Sequence, residues 1–398
     1  FNKVDTVSGN KPRMYFKKSA EANTISGNTS FDNGWKFVEA SNNTSPFVFT
    51  MNQSLLTSPL TQGDIIQYFV VAQDKSTVAN VGIKGGTFAL APSSVSLLAP
   101  SFPITELTDS FVIKAGISGT YTVGTSGSTY ITLTQAVADL NDKILTGPVE
   151  FLLLDASYTS PTETFPISIN ANGGSSAANT VTIKPQTGVT STIGASVNGA
   201  ILVLNGIDYL TLDGRQNTTT TGKNLFVENT NTSAGASAIT FINDACNNTI
   251  TDLTLKGANA PTNGNGGVVV FSTGLTTGND FNIIDSCDIT AVSSSSLPST
   301  LIYAAGTNSV LERYNDQNTI INCKLYDYWN ATSEFNALKL VAGNNNWTIS
   351  KNHIYQTTPR STSATHTALN FIHSADYTSL NGMNINNKTS PTLITLVI

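Results

Sequence analysis

Charge is scarce in this chain. Asp, Glu, Lys and Arg make up 12% of its 398 residues, and the net charge is -6. No cluster of Lys or Arg occurs, which argues against a nucleic-acid partner, because neutralising phosphates needs such clusters. Long apolar runs are missing too. No stretch of about 18 apolar residues exists, so no membrane span is expected. Cysteine is rare, at three residues, and offers no disulfide framework. Histidine is equally rare, at three residues. No motif indicates a metal or cofactor. Ca2+ is compatible with the surface chemistry but has no motif of its own.

What remains is a hydrophobic fraction of 39% in a background of Thr, Ser, Asn and Gly. Such a chain can bury a core and presents many neutral hydrogen-bonding groups. A short pattern, apolar-x-x-(apolar, Cys or Asn)-x-apolar, recurs six times in the second half. The copies are Ile207/Leu210/Leu212, Ile250/Leu253/Leu255, Ile284/Cys287/Ile289, Ile320/Cys323/Leu325, Ile349/Asn352/Ile354 and Leu380/Met383/Ile385, at spacings of 43, 34, 36, 29 and 31 residues. Before each sits a β-rich run: AILVLNG, AITFIND, VVVFSTG, TLIYAAG, ALKLVAG, ALNFIHS. Short strands with Asn/Gly turns at this period predict a parallel β-solenoid, since no rung can bury its apolar face alone. Cys287 and Cys323 hold one repeat position and are expected to stack in the core. Asn352 at the same position predicts a hydrogen-bonded ladder. Cys246 lies in an Asn-rich turn.

Residues 1–103 carry no copy of the repeat. Alternating runs at Met14–Phe16, Trp35–Val38, Phe47–Phe49 and Ile65–Ala72, separated by turn signals, predict a small antiparallel sandwich of immunoglobulin or fibronectin type. Pro92, Pro100 and Pro103 then predict a linker over 104–117. Leu133, Ala136, Val137, Leu140 and Ile144 share one helical face, with Thr132 and Gln135 as a capping box and Gly147-Pro148 as a stop. This predicts a helix at about 133–145 that covers the open end of a solenoid spanning 118–398. Irregular early strands are expected at Ile167–Ile169, Val181–Ile183 and Ala200–Leu204, with the regular pattern starting at Ile207. The chain starts at Phe1 without Met, and Leu393–Ile398 reads as the first strand of a seventh rung. A processed piece of a longer protein is therefore expected.

The segment GTYTVGTSGSTYITLTQAVADLNDKILTGPVEFLLL, with NTVTIKPQTG and AILVLNGIDYLTLDG, resembles the opening of pectin-lyase-like right-handed β-helix domains in secreted multidomain proteins of Bacteroidota. GWKFVEA and GDIIQYFVVAQD resemble the Ig-like modules that precede such helices. The resemblance implies an all-β chain, export by the type IX route and display on the cell surface, extracellular or secreted. Asp5-Thr6-Val7 matches an O-glycosylation pattern of that group.

Strand alternation predicts three outward columns. The first is Tyr209, Asp252, Ser286, Asn322, Lys351, Gly382. The second is Thr211, Thr254, Asp288, Lys324, His353, Asn384. The third is Asp213, Lys256, Thr290, Tyr326, Tyr355, Asn386. Asp288, Lys324 and His353 would form an ionisable row beside stacked Tyr326 and Tyr355, with Trp329 and Trp347 in or near flanking loops. These are the candidate ligand-binding residues. They suit a saccharide groove, with aromatic faces for sugar rings and ionisable groups for hydroxyls or carboxylates. They equally suit a solvated face held by rung-to-rung pairs. No catalytic residue is assigned. The Asp pair and Gly-His-Gly segment of polygalacturonases are missing, as is the acidic cluster with Arg of β-helical pectate lyases. Arg313 and Arg360 fall in loops, and no G-x-S-x-G elbow accompanies His366 and His373.

The leading expectation is a surface adhesin or display protein that binds polysaccharide or cell-surface glycans. A polysaccharide-active lyase or hydrolase is the alternative. A structural stalk or filament subunit, partnered by other copies or domains of the same protein, is the second. An ice-binding solenoid would need a flat, regular Thr array, and the columns above are mixed.

Overall fold

A computed structural model describes residues 3–216, 222–372 and the backbone of 384–389. The chain divides into two compact units, Phe1–Ala115 and Gly116–Ile398. The sixth repeat copy's Leu380 and Met383, Gly382, His373 and Leu393–Ile398 lie outside the described residues.

The first unit contains β1 (Arg13–Lys18), β2 (Lys36–Glu39), β3 (Ile65–Gln73), β4 (Val81–Lys84) and β5 (Ser110–Val112). In place of two facing sheets, these strands form one antiparallel sheet. β1 pairs with β2 on one edge and with β3 on the other, and the far edge of β3 carries β4 and β5. Alternation sends Tyr15, Phe69 and Val71 to one face, where Trp35, Val95, Leu97, Phe102 and Ile104 cover them. Phe16 and Ile66 go to the other face, under Leu56. Irregular segments thus do the work of a second sheet. Phe47–Phe49 is not a strand. The expected linker is also structured, because Ile104 is core and Ser110–Val112 pairs with β3.

The second unit is a parallel β-helix of about eight turns, wound with the right hand that parallel-strand crossovers adopt. Each turn visits three sheets, called A, B and C here. Sheet A begins with β6 (Gly116–Val123) and β7 (Ile144–Leu153) and continues through Val181–Pro185, Leu210–Asp213, Thr249–Thr251, Ile283–Asp285 and Thr319–Ile321. Sheet B runs from Ser157–Thr159 through Ser191–Ala195, Leu225–Asn229, Thr254–Gly257 and Asp288–Ala291 to Lys324–Tyr326. Thr348–Tyr355 spans the corner and serves both sheets. Sheet C runs from Ile167–Asn170 to His366–Phe371. Inward positions stack like on like: Ile183, Leu212, Ile250, Ile284, Ile320 and Ile349 in A, and Ile193, Val227, Leu255, Ile289, Leu325 and Ile354 in B. All are fully or almost fully buried in one continuous core. Regular pairing begins well before Ile207, since Val149, Val181 and Leu210 are already in register.

The helix α1 spans Leu133–Asp142. Thr132 accepts a hydrogen bond from Gln135 N at 3.0 Å, and Gln135 Oε1 accepts from Ile131 N. Leu133, Ala136, Val137 and Leu140 join the solenoid core. The helix stops five residues before Gly147-Pro148, because Ile144 already belongs to β7. The Gly-Pro pair sits in β7 where its register against β6 shifts, an irregularity at which a strand tolerates a missing N–H. Asn141 closes the edge of the first C strand: its Nδ2 donates to Ser168 O and its Oδ1 accepts from Asn170 N.

The corners explain the repeat. Between A and B the chain turns on Asp252, Ser286, Asn322 and Lys351, with φ of 55–56°. Between C and A it turns on Tyr209, Asn247, Phe281, Gln317 and Asn346, with φ of 53–58°. Both corners place one left-handed residue between two inward positions, so both produce the same sequence spacing. The first copy is therefore one corner early: Leu212, its third member, pairs with Ile250, the first member of the next copy. The sixth copy is shifted likewise, with Ile385 paired to Ile349.

Candidate functional site

The outward columns of sheet B follow from this register. One runs Phe226, Thr254, Asp288, Lys324, His353. The other runs Glu228, Lys256, Thr290, Tyr326, Tyr355. Thr211 and Asp213, expected at the head of these columns, stay on sheet A, as do Asn384 and Asn386. Of the supposed first column, Asp252, Ser286, Asn322 and Lys351 line the A–B corner and Tyr209 sits at the C–A corner.

Adjacent strands bring Tyr326 and Tyr355 into a stack, with ring centroids 5.0 Å apart and planes 10° from parallel. His353 adds its ring to Tyr355 at 4.5 Å. Lys324 and His353 are exposed neighbours in register. Asp288 is pinned by Lys223, whose Nζ lies 2.5 Å from Oδ1. Burial, then the charge of Asp288, pushes the Tyr326 hydroxyl up. Burial, then the neighbouring Tyr326, does the same to Tyr355. Both phenols thus remain hydrogen-bond donors at neutral pH.

A second cluster lies at the A–B corner, and sequence reasoning did not find it. Asp213 accepts from the backbone N and Nε of Arg215, both at 2.9 Å, and from Nη2 at 2.8 Å. Arg215 Nε lies 3.5 Å from Asp252 Oδ2. Asp285 Oδ1 accepts from Ser286 Oγ and Asn322 Nδ2, each at 2.9 Å. Arg215 follows the A strand of its turn by two residues, in a loop the repeat does not contain, so no column predicted it. Each of these carboxylates already has a cation or a donor. Among the described residues no three His, Cys, Asp or Glu side chains are grouped to hold a metal ion.

Trp347 is not at the surface. It is fully buried, packs edge-on to Phe271 at 4.8 Å and donates from Nε1 to Asn315 O at 2.8 Å. It occupies the inward corner position that Asn248, Asn282 and Asn318 hold in earlier turns, so it is core and cannot meet a ligand. Tyr328 is also buried, with its hydroxyl 2.9 Å from Nε2 of His366. Trp329 is half-buried in the loop that leaves sheet B, against a cavity. Cys287 and Cys323 are buried in the core, and Asn352 forms the expected inward bonds, accepting from Cys323 N and donating to Ile320 O.

Sheet A's outer face carries Thr182, Thr211, Thr249, Thr319 and Thr348 in one column, interrupted by Ile283. The adjoining column contains Asp213, Asp285 and Ile321, so the face is a stabilising ladder rather than a double Thr array.

No protein-family profile and no curated protein sequence matches this chain. Among solved structures, it is similar to a rhamnogalacturonan lyase at 13% identity and a TM-score of 0.41, over 68% of this chain and 66% of that one. It is also similar to a pectin methylesterase from Aspergillus niger at 14% identity and a TM-score of 0.28, over 71% of this chain and 94% of that one.

Proposed function

We propose that this chain is an extracellular, polysaccharide-active β-helix and that the sugar chain lies along the outer face of sheet B. The observation that carries the reading is the Tyr326–Tyr355 stack with Lys324 and His353 beside it on the same face. The stacked rings turn apolar edges and hydroxyl donors toward a sugar chain, and ammonium groups hold carboxylates. Elimination suits these groups better than hydrolysis. Hydrolysis needs two carboxyl groups acting across one bond, and the nearby carboxylates of Asp288, Asp213 and Asp252 are each paired with Lys223 or Arg215. Elimination needs one base and one cation. His353 would take the proton from the carbon beside a uronate carboxylate. Lys324 would hold the charge that builds on that carboxylate. A carbon–carbon double bond forms as the glycosidic C–O bond at the next carbon breaks, and the leaving oxygen takes a proton from water.

A second reading is display or adhesion without cleavage. The exposure of Lys324 and His353 favours it, because an open face excludes little water. In either reading the first unit serves as a spacer module ahead of the helix, in a type IX-exported Bacteroidota surface protein. The deciding experiment incubates the chain with uronate-containing and neutral polysaccharides, with and without Ca2+, and follows unsaturated and reducing ends. Unsaturated product that disappears in His353→Ala and Lys324→Ala supports elimination. Reducing ends without unsaturation mean hydrolysis. Binding with neither product leaves the display reading.

A further inference from the structure

Where sheet B ends, three loops from consecutive turns border an open surface cavity of about 270 Å³, lined by Ala260, Ser295, Leu297, Trp329, Asn330 and Ala331. Its wall is an indole and much of its lining is small or apolar, which is the surface a sugar ring's C–H face packs against. Arg360, from the next turn's loop, places its guanidinium carbon 5.9 Å from the centre of the Trp329 ring. That guanidinium donates from Nη2 to Ser294 O at 3.2 Å, and no carboxylate pairs with it among the described residues. Arg360 Nε and Trp329 Nε1 are both buried without an acceptor. None of the six lining residues is charged, and the Arg360 guanidinium brings a positive charge to the indole wall from the next loop.

The chain path ties this cavity to the face already described. Trp329 follows Tyr326 by three residues and Arg360 follows Tyr355 by five. The two strands that carry the tyrosine stack run directly into the two loops that carry the indole and the guanidinium. We propose that the cavity is a second saccharide subsite, selective for a sugar residue bearing a carboxylate. Trp329 stacks on the ring and Arg360 binds the acid. The proposal rests on the polysaccharide reading above and adds to it a selectivity for acidic over neutral chains.

The test compares binding of a polyuronate and of its carboxyl-reduced form to the whole chain, by calorimetry. The wild type binds the polyuronate more tightly. Arg360→Gln loses that preference by about tenfold, the scale of one charge-assisted contact, and binds both forms alike. Trp329→Ala weakens both forms together. Should Trp329→Ala not fold, Arg360→Gln alone decides, since among the described residues the guanidinium is held only by one long backbone bond to Ser294 O and its contact with the indole. Tyr326→Ala/Tyr355→Ala separates the two claims. If that variant binds as wild type while Arg360→Gln loses selectivity, the sheet B reading falls and the subsite stands. If Arg360→Gln keeps the full preference for the acidic form, or if the wild type binds both forms equally or not at all, the subsite is overturned.

Discussion

Asn248, Asn282 and Asn318 are fully buried and stack at the C–A corner. Asn282 Oδ1 accepts from both the backbone N and Nδ2 of Asn248, and its own Nδ2 donates to Ala245 O and Asn318 Oδ1. Replacing it with Ala leaves several buried polar groups without partners. We expect Asn282→Ala to cost about 2–4 kcal/mol, read as a lower denaturation midpoint with faster amide exchange at Asn248. Beside this ladder runs a column of acids. Burial, then the charges of Asp316 and Asp244, pushes the Asp280 carboxyl up to about 7, with a partly opposing bond from Asp316 N. Burial pushes Asp316 up to about 6. Asp208 is raised by burial and by Asp244, and Cys246 stands between them with its thiol also pushed up by burial. The folded state holds protons that the unfolded chain releases, so stability falls as pH rises from about 4 to about 7. Asp280→Asn keeps an acceptor for Asp316 N and removes the charge. It should gain about 1–2 kcal/mol at about pH 8, after discounting for partial solvent access, and flatten the melting temperature against pH. A pH profile unchanged by this substitution would contradict the assignment.

Among elements, α1 is the best-tied piece. Besides the Thr132 cap, the Glu163 carboxylate accepts from Leu133 N and Thr134 N, each at 2.7 Å, at the positive end of the helix. Glu163→Ala should destabilise the first turns by about 1–3 kcal/mol, seen as early protease cutting near 130–145 before the later turns open. The helix was legible because its 3.6-residue period and cap stand in sequence. Its end was not: Ile144 continues the apolar face, and only pairing with β6 claims it for a strand. Strand B columns from Thr254 to Tyr355 were legible for a similar reason, since one apolar pattern sets their register. The pattern misled at Ile207 and Leu380 because two different corners share its spacing. Trp347 was misread because its neighbours in the column are Asn, which conceals an inward position. Arg215 was missed because it belongs to a loop insertion outside any period.

At the scale of the molecule, the solenoid turns a repeat into a surface. Each outward residue gains a neighbour above and below, so an aromatic pair or an ionic row forms without any local sequence motif. The same geometry gives a linear ligand a linear track. Whether this track on sheet B holds polysaccharide is read by titrating the whole chain with acidic and neutral polysaccharides in affinity electrophoresis, comparing wild type with Tyr326→Ala/Tyr355→Ala. At least one polysaccharide should retard the wild type, and the double variant should weaken this by about tenfold or more. Equal retardation of both proteins, or none with any polysaccharide, would contradict it.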